Sequence, residues 1–325
     1  MTRSLFVTGG TGLLGSALLR ELARRDDLAR REGPATRVRA LARRAPPAGA
    51  GAPNVEWRTG DLLEPGSLAG ALDGVDVVIH CAGAMPADAR ACDAIVRGAT
   101  QLLLDLALRA GVRRFVLVSS VAVYGDAEQR RTAESAPRVA ANGYAAARIA
   151  AEDLVLAAAA GGAIEATIVR PCPIVGAGHL VRGALELMMQ PRVPLPDGGR
   201  APLSLVAAED AAAALARAGL DDERHDGAFN VAAEEALSLR ELLETVAAAA
   251  LARGRAEFEE LPCAEALARN EAAARRGEPP PVHPALVALS KEHTFASRRA
   301  RAELGFTERA PLRAALAGAV AACLA

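Results

Sequence analysis

Short apolar runs of strand length alternate along this chain with longer stretches whose apolar positions recur at helical spacing. The runs Leu5–Thr8, Arg37–Leu41, Val55–Arg58, Val75–His80, Phe115–Ser119, Ile164–Arg170 and Ala228–Val231 predict strands. The stretches Ser16–Arg25, Ser67–Leu72, Cys92–Ala110 and Ala145–Ala160 predict helices between them. Strands alternating with helices imply βαβ crossovers and a parallel sheet covered on both faces. Right-handed crossovers make such a sheet doubly wound, with ligands at the carboxyl ends of its strands. Asp26–Thr36 reads as a solvated charged loop in the first crossover.

Beyond Pro171 the pattern changes. Prolines at 171, 173, 191, 194 and 196 and the Gly198-Gly199 pair break long elements. Glu234 to Ala325 reads as mostly helical, interrupted at Glu278-Pro279-Pro280-Pro281. The fold class is therefore α/β: a doubly wound parallel sheet (Rossmann) with a smaller, mostly helical C-terminal region. The expected division is 1–175, returning to the sheet at about 203–232, against 176–202 and 233–325.

The first strand ends in Thr8-Gly9-Gly10-Thr11-Gly12-Leu13-Leu14-Gly15, and a helix follows. A glycine turn between strand and helix places free backbone amides and the positive end of the helix dipole where a phosphate can sit. Gly9 allows the tight turn, Gly12 a close backbone approach to a pyrophosphate, and Gly15 close packing of helix on strand.

Composition narrows the partners. The 325 residues suffice for a large core, and Lys+Arg 38 against Asp+Glu 39 gives no basic surface for nucleic acid. Hydrophobic residues reach 51% with only 3% aromatics, so the excess is largely alanine. Lys291 is the single lysine. Five scattered cysteines without a C-x-x-C pair point to a reducing compartment, with no disulfide framework or metal site. The longest apolar runs, such as Ala314–Ala325, are short of the ~20 residues of a membrane span. No leader is expected, and the setting expected is the cytoplasm.

Further segments follow in order: Gly60-Asp61-Leu62; His80-Cys81-Ala82-Gly83; Ser119-Ser120-Val121-Ala122-Val123-Tyr124-Gly125; Tyr144-Ala145-Ala146-Ala147-Arg148; and Val169-Arg170-Pro171. With the glycine turn, this ordered set resembles the extended short-chain dehydrogenase/reductase family, also called the NAD-dependent epimerase/dehydratase family. The likeness resumes at Val206–Asp210, Phe229–Val231 and Ser297–Phe306. It implies a nicotinamide dinucleotide held by Gly9, Thr11, Gly12, Leu13, Leu14 and Gly15, by Asp61 and Leu62 beside the adenine, by Cys81, Ala82 and Gly83, and by Tyr144, Arg148 and Pro171. It also implies catalysis by Ser120, holding the substrate oxygen with Ser119 as the runner-up, and by Tyr144 and Arg148. A homodimer through the Cys92–Ala110 and Ala145–Ala160 helices is implied as well.

The chemistry agrees with that implication. Reducing a carbonyl needs a proton donor beside the developing alkoxide. A phenol ordinarily titrates near ~10 and needs a neighbouring cation to serve as acid or base. Tyr144 and Arg148, four apart on a helix, share a face.

The chain departs from the family's pattern in five places. Arg148 stands where the family has lysine; it keeps a charge but is planar, bulkier and does not deprotonate. No acid ends the second strand, and Arg43 stands where a 2′-phosphate would be met, which favours NADP over NAD. Ile95 replaces an asparagine. Val121 and Ala122 replace the Asp-Glu pair of the dehydratases, and apolar Pro202–Leu205 replaces the arginine that sugar-nucleotide epimerases use on a diphosphate. These features point to an NADP-preferring dehydrogenase or reductase acting on a ketone or secondary alcohol. The alternatives are a sugar-nucleotide epimerase-type enzyme with bound NAD, and a catalytically impaired NAD(P)-binding sensor or scaffold. His80 reads as a packed structural residue, and His179, after Gly176-Ala177-Gly178, is given no part in the chemistry.

Overall fold

The computed structural model describes residues 3–29, 36–46, 55–84, 88–250 and 256–325. Seven strands form one parallel sheet: β1 (Ser4–Thr8), β2 (Arg37–Ala42), β3 (Val55–Thr59), β4 (Val77–His80), β5 (Arg114–Val118), β6 (Glu165–Pro171) and β7 (Gly227–Val231). Their spatial order is β7-β6-β5-β4-β1-β2-β3. The chain runs outward from β1 to β3, then restarts at β4 on the other side of β1. The reversal opens a crevice between β1 and β4 at their carboxyl ends, the usual ligand position in a doubly wound sheet.

Side-chain alternation divides the core between two layers. Leu5, Val7, Val77, Ile79, Val116 and Val118 face one layer, which is closed by α1 (Leu13–Ala29). Phe6, Val78, Phe115 and Leu117 face the other, closed by α2 (Ala99–Arg109) and α3 (Gly143–Ala160). Strands covered on both faces read as continuous apolar runs, which is why these strands stand out in the sequence. A fourth helix, α4 (Ala208–Leu220), packs beside α1 and brings the chain back to the sheet at β7.

A third cluster lies outside the sheet. It joins Val181, Ala184 and Met188 to Val193 and Leu195, to Leu242, Leu243 and Val246, and to Leu312, Leu316 and Val320.

Three local expectations are corrected. The helix expected over Ser67–Leu72 is a 3-10 turn at Pro65–Leu68, because Gly70 and Gly74 adopt positive φ (66° and 68°) and break any continuation. Helix α1 runs on to Ala29 through the start of the expected charged loop; residues 30–35 of that loop lie outside the described residues. The C-terminal third also carries strands at Ala236–Ser238, Glu257–Leu261 and His293–Phe295. Glu257–Leu261 pairs in parallel with Arg192–Pro196, and His293–Phe295 with Gln129–Thr132. These strands are short and their partners distant in the chain, so local spacing did not announce them.

Candidate active site

The glycine turn forms the floor of the crevice. Gly12 N–H donates to the Gly9 carbonyl at 2.9 Å, closing the turn ahead of α1. Gly9 takes φ +71°, and a Cβ there would stand 2.7 Å from the Ala82 nitrogen at the end of β4. A Cβ on Gly15 would fall on the Gly9 carbonyl oxygen. Thr11 and Gly12 are left exposed at the amino end of the helix. They open into a cleft of about 820 Å³ whose other walls are Val175–His179 and, from the last helix, Ala315, Gly318 and Ala319. A bare backbone at a helix N-terminus beside a cleft of this size fits the pyrophosphate of a dinucleotide. Leu13 also lines the cleft, whereas the Leu14 side chain is buried in the core and could offer a ligand only its backbone.

The neighbouring strand ends carry the next group. Arg43 follows β2 directly and is exposed. The Asp61 carboxylate accepts from Leu63 N–H at 2.9 Å in a local turn, and Leu62 packs against the core. At the end of β4, His80 Nδ1 meets Thr8 Oγ1 at 2.6 Å, and Thr8 Oγ1 accepts from Ala82 N–H at 3.2 Å. This ties the Cys81–Gly83 turn to β1. Burial, aided by the positive charge of Arg148, pushes His80 down to about 3, so it is neutral at physiological pH. Burial pushes the Cys81 thiol up to about 12, which leaves no thiolate for chemistry.

The catalytic candidates come from β5 and α3. Asn142 caps α3, its side chain accepting from Ala145 N–H at 2.9 Å, and this fixes the helical start that carries Tyr144. Arg148, one turn on, is 6% exposed. Its Nη1 donates to the Val118 carbonyl at 2.7 Å, and its Nε to Tyr144 Oη at 3.1 Å. The guanidinium carbon lies 5.1 Å from the Tyr144 ring centre. Ser120 accepts from Ala122 N–H at 3.1 Å and caps the Val121–Tyr124 turn. Ser119 is buried, and its hydroxyl has no hydrogen-bond partner among the described residues. Pro171 is the buried last residue of β6. His179 is the first residue of the His179–Met188 helix and is exposed in the cleft wall.

A buried network lies behind these residues and was not anticipated. The Glu152 carboxylate receives Arg170 Nε at 2.8 Å and Nη2 at 2.6 Å, and Arg138 at 3.2 Å. Arg170 Nη1 donates to Tyr124 Oη at 2.7 Å, and Tyr124 donates to Asn230 Oδ1 at 2.8 Å. The network joins α3, β6, β7 and the turn that follows Ser120. Only the place of Glu152 was readable: it lies four residues beyond Arg148 and shares the helix face of Tyr144 and Arg148. The partners on other strands had no local signal.

The NAD dependent epimerase/dehydratase family model matches residues 5–232. The chain belongs to this family. The family consists of NAD-dependent enzymes. One relative is the uncharacterized protein y4nG of Sinorhizobium fredii (strain NBRC 101917 / NGR234), 28% identical over 254 residues; the match covers 76% of this chain and 60% of that protein. Another is sterol demethylase protein B of Methylococcus capsulatus (strain ATCC 33009 / NCIMB 11132 / Bath), 35% identical over 178 residues, or 52% of this chain and 51% of that protein. The solved structure of MoeE5 in complex with UDP-glucuronic acid and NAD shares the fold, with a TM-score of 0.76 at 23% identity over 98% of each chain. No described helix is long and apolar enough to cross a membrane.

Proposed function

We propose that this epimerase/dehydratase-family chain is an NADP(H)-preferring oxidoreductase that interconverts a ketone and a secondary alcohol. When bound, the dinucleotide supplies or accepts the hydride. The Gly9–Gly15 turn would hold its pyrophosphate, and Arg43 its 2′-phosphate, for which a planar cation with several donors is suited. Asp61 and Leu62 would border the adenine, and Cys81, Ala82, Gly83 and Pro171 would line the rest of the crevice. Tyr144 is the proton donor or acceptor at the substrate oxygen, and Ser120 orients that oxygen. In this reading residues 1–175 with 203–232 bind coenzyme, and 176–202 with 233–325 shape the substrate pocket.

One observation carries the reading: Arg148, anchored on the Val118 carbonyl, donates to Tyr144 Oη. The arginine therefore keeps a cation beside the phenol, as a lysine would, and does so from a fixed position. Apolar positions support the substrate class. Val121 is buried where a dehydratase needs an acid. Leu203 is 3% exposed and carries no charge for a sugar diphosphate, while Arg200 lies on the surface in a pair with Glu260 at 2.8 and 2.7 Å. The half-buried Leu102, Leu106, Leu154 and Leu156 on α2 and α3 fit the homodimer face, and a cytoplasmic setting belongs to the same proposal.

The test is turnover of a panel of ketones, secondary alcohols and UDP-sugars with NADPH, NADP, NADH and NAD. Wild type is expected to turn over a ketone or alcohol, and Tyr144→Phe to lose at least about a hundredfold in rate, the scale of acid–base catalysis. Turnover of the UDP-sugars alone would favour the epimerase-type alternative. Coenzyme binding without turnover of any substrate would favour a sensor or scaffold.

A further inference from the structure

We propose that Gly83 is a positioning residue: its bare Cα is the seat of the Arg148 guanidinium and so sets the hydrogen bond from Arg148 to Tyr144. The inference rests on the roles of Tyr144 and Arg148 proposed above.

A Cβ at position 83 would stand 2.5 Å from Arg148 Nη2, 3.3 Å from Cζ and 3.5 Å from Nη1. Gly83 takes no positive φ, so its backbone does not require glycine. The requirement comes from the arginine. The free end of an arginine would ordinarily swing away from an added methyl at little cost. This one is held at two points, Nη1 on Val118 and Nε on Tyr144, within a residue only 6% exposed. Displacing Nη2 from Gly83 rotates a rigid plane and pulls Nε from the phenol. A lysine has a single ammonium and no second arm to place against residue 83. Gly83 and Arg148 thus form a size-matched pair: the larger cation is admitted because the opposite position has no side chain.

The experiment compares four chains: wild type, Gly83→Ala, Arg148→Lys, and the double variant. Two quantities are read on each, the Kd for NADPH and the urea midpoint without coenzyme. With Arg148 present, Gly83→Ala is expected to lower the midpoint through loss of the Arg148–Tyr144 hydrogen bond, and to weaken NADPH by at least about tenfold, because Arg148 is among the residues the family likeness sets against the coenzyme and losing one contact from a charged group costs about that much. In the Arg148→Lys background the same substitution is expected to change Kd by less than about twofold and leave the midpoint in place, because the clashing arm is gone. Equal losses in both backgrounds would overturn the pairing and place the obstruction at the coenzyme or the loop; no loss in either would overturn it too. Should wild type bind no coenzyme, the proposed function fails, and the four midpoints still decide the pair: coupled midpoints support it and additive ones overturn it.

Discussion

Substituting Glu152 with glutamine tests whether the buried network holds the helix that carries Tyr144. The Glu152 side chain is fully buried, and that of its partner Arg170 is 4% exposed. Two contacts of 2.8 and 2.6 Å join them, with Arg138 adding a third at 3.2 Å. Glutamine keeps the size but removes the charge, and its amide turns one acceptor into a donor facing a donor. Arg170 would then be a buried cation with no carboxylate. Breaking a buried pair on one side costs about 3–5 kcal/mol, more than a hundredfold in the folding equilibrium. The Arg170→Met, Glu152→Leu double variant removes both charges and should cost less than the sum of the two single changes, even though Tyr124 loses a donor. Urea denaturation of five chains, wild type, Glu152→Gln, Glu152→Leu, Arg170→Met and the double variant, measures these values. A loss below about 1 kcal/mol for Glu152→Gln, or strict additivity, would refute the argument that the pair anchors α3 to β6, because an anchoring pair must be coupled.

Gly15→Ala should abolish coenzyme binding, since its Cβ falls on the Gly9 carbonyl and the backbone must move; an unchanged Kd for NADPH would contradict the cradle. Arg43→Glu should invert the coenzyme preference toward NADH, checked by the ratio of the two dissociation constants. Stability should fall on acidification in two stages. His80 stays neutral in the fold down to about 3, while the unfolded chain protonates it near 6.5, so stability declines below 6.5 by up to about 1.4 kcal/mol per pH unit until pH 3. Although burial raises it, Glu21 is held down to about 2 by bonds from Arg24, Arg309 and Arg25, which adds a second decline as pH falls from 4.5 toward 2. Urea midpoints between pH 8 and 4 check the first stage, and His80→Gln should remove it.

Whatever depends on neighbours in the chain was readable beforehand. The two-faced strands, the glycine turn and the Tyr144–Arg148 spacing are local, and each appears where its pattern placed it. Whatever depends on distant partners was not. Thr8 meets His80 across 72 residues, Tyr124 meets Asn230 across 106, and Gly83, just past β4, faces Arg148 of α3 because the neighbouring β5 ends at Val118, whose carbonyl holds the guanidinium. The Ser67–Leu72 helix failed because two glycines with positive φ outweighed helical spacing. The C-terminal strands were hidden because alanine-rich surroundings carry helix propensity throughout, and the strands exist only through pairing with partners far along the chain.

The central claim is that a nicotinamide dinucleotide lies with its phosphates against the amino end of α1. Equilibrium titration of the folded, purified chain with NADPH and NADH, followed by calorimetry, measures this most directly. The account predicts saturable binding at one site per chain, tighter for NADPH. Absence of heat with both, from a chain shown to be folded, would contradict it.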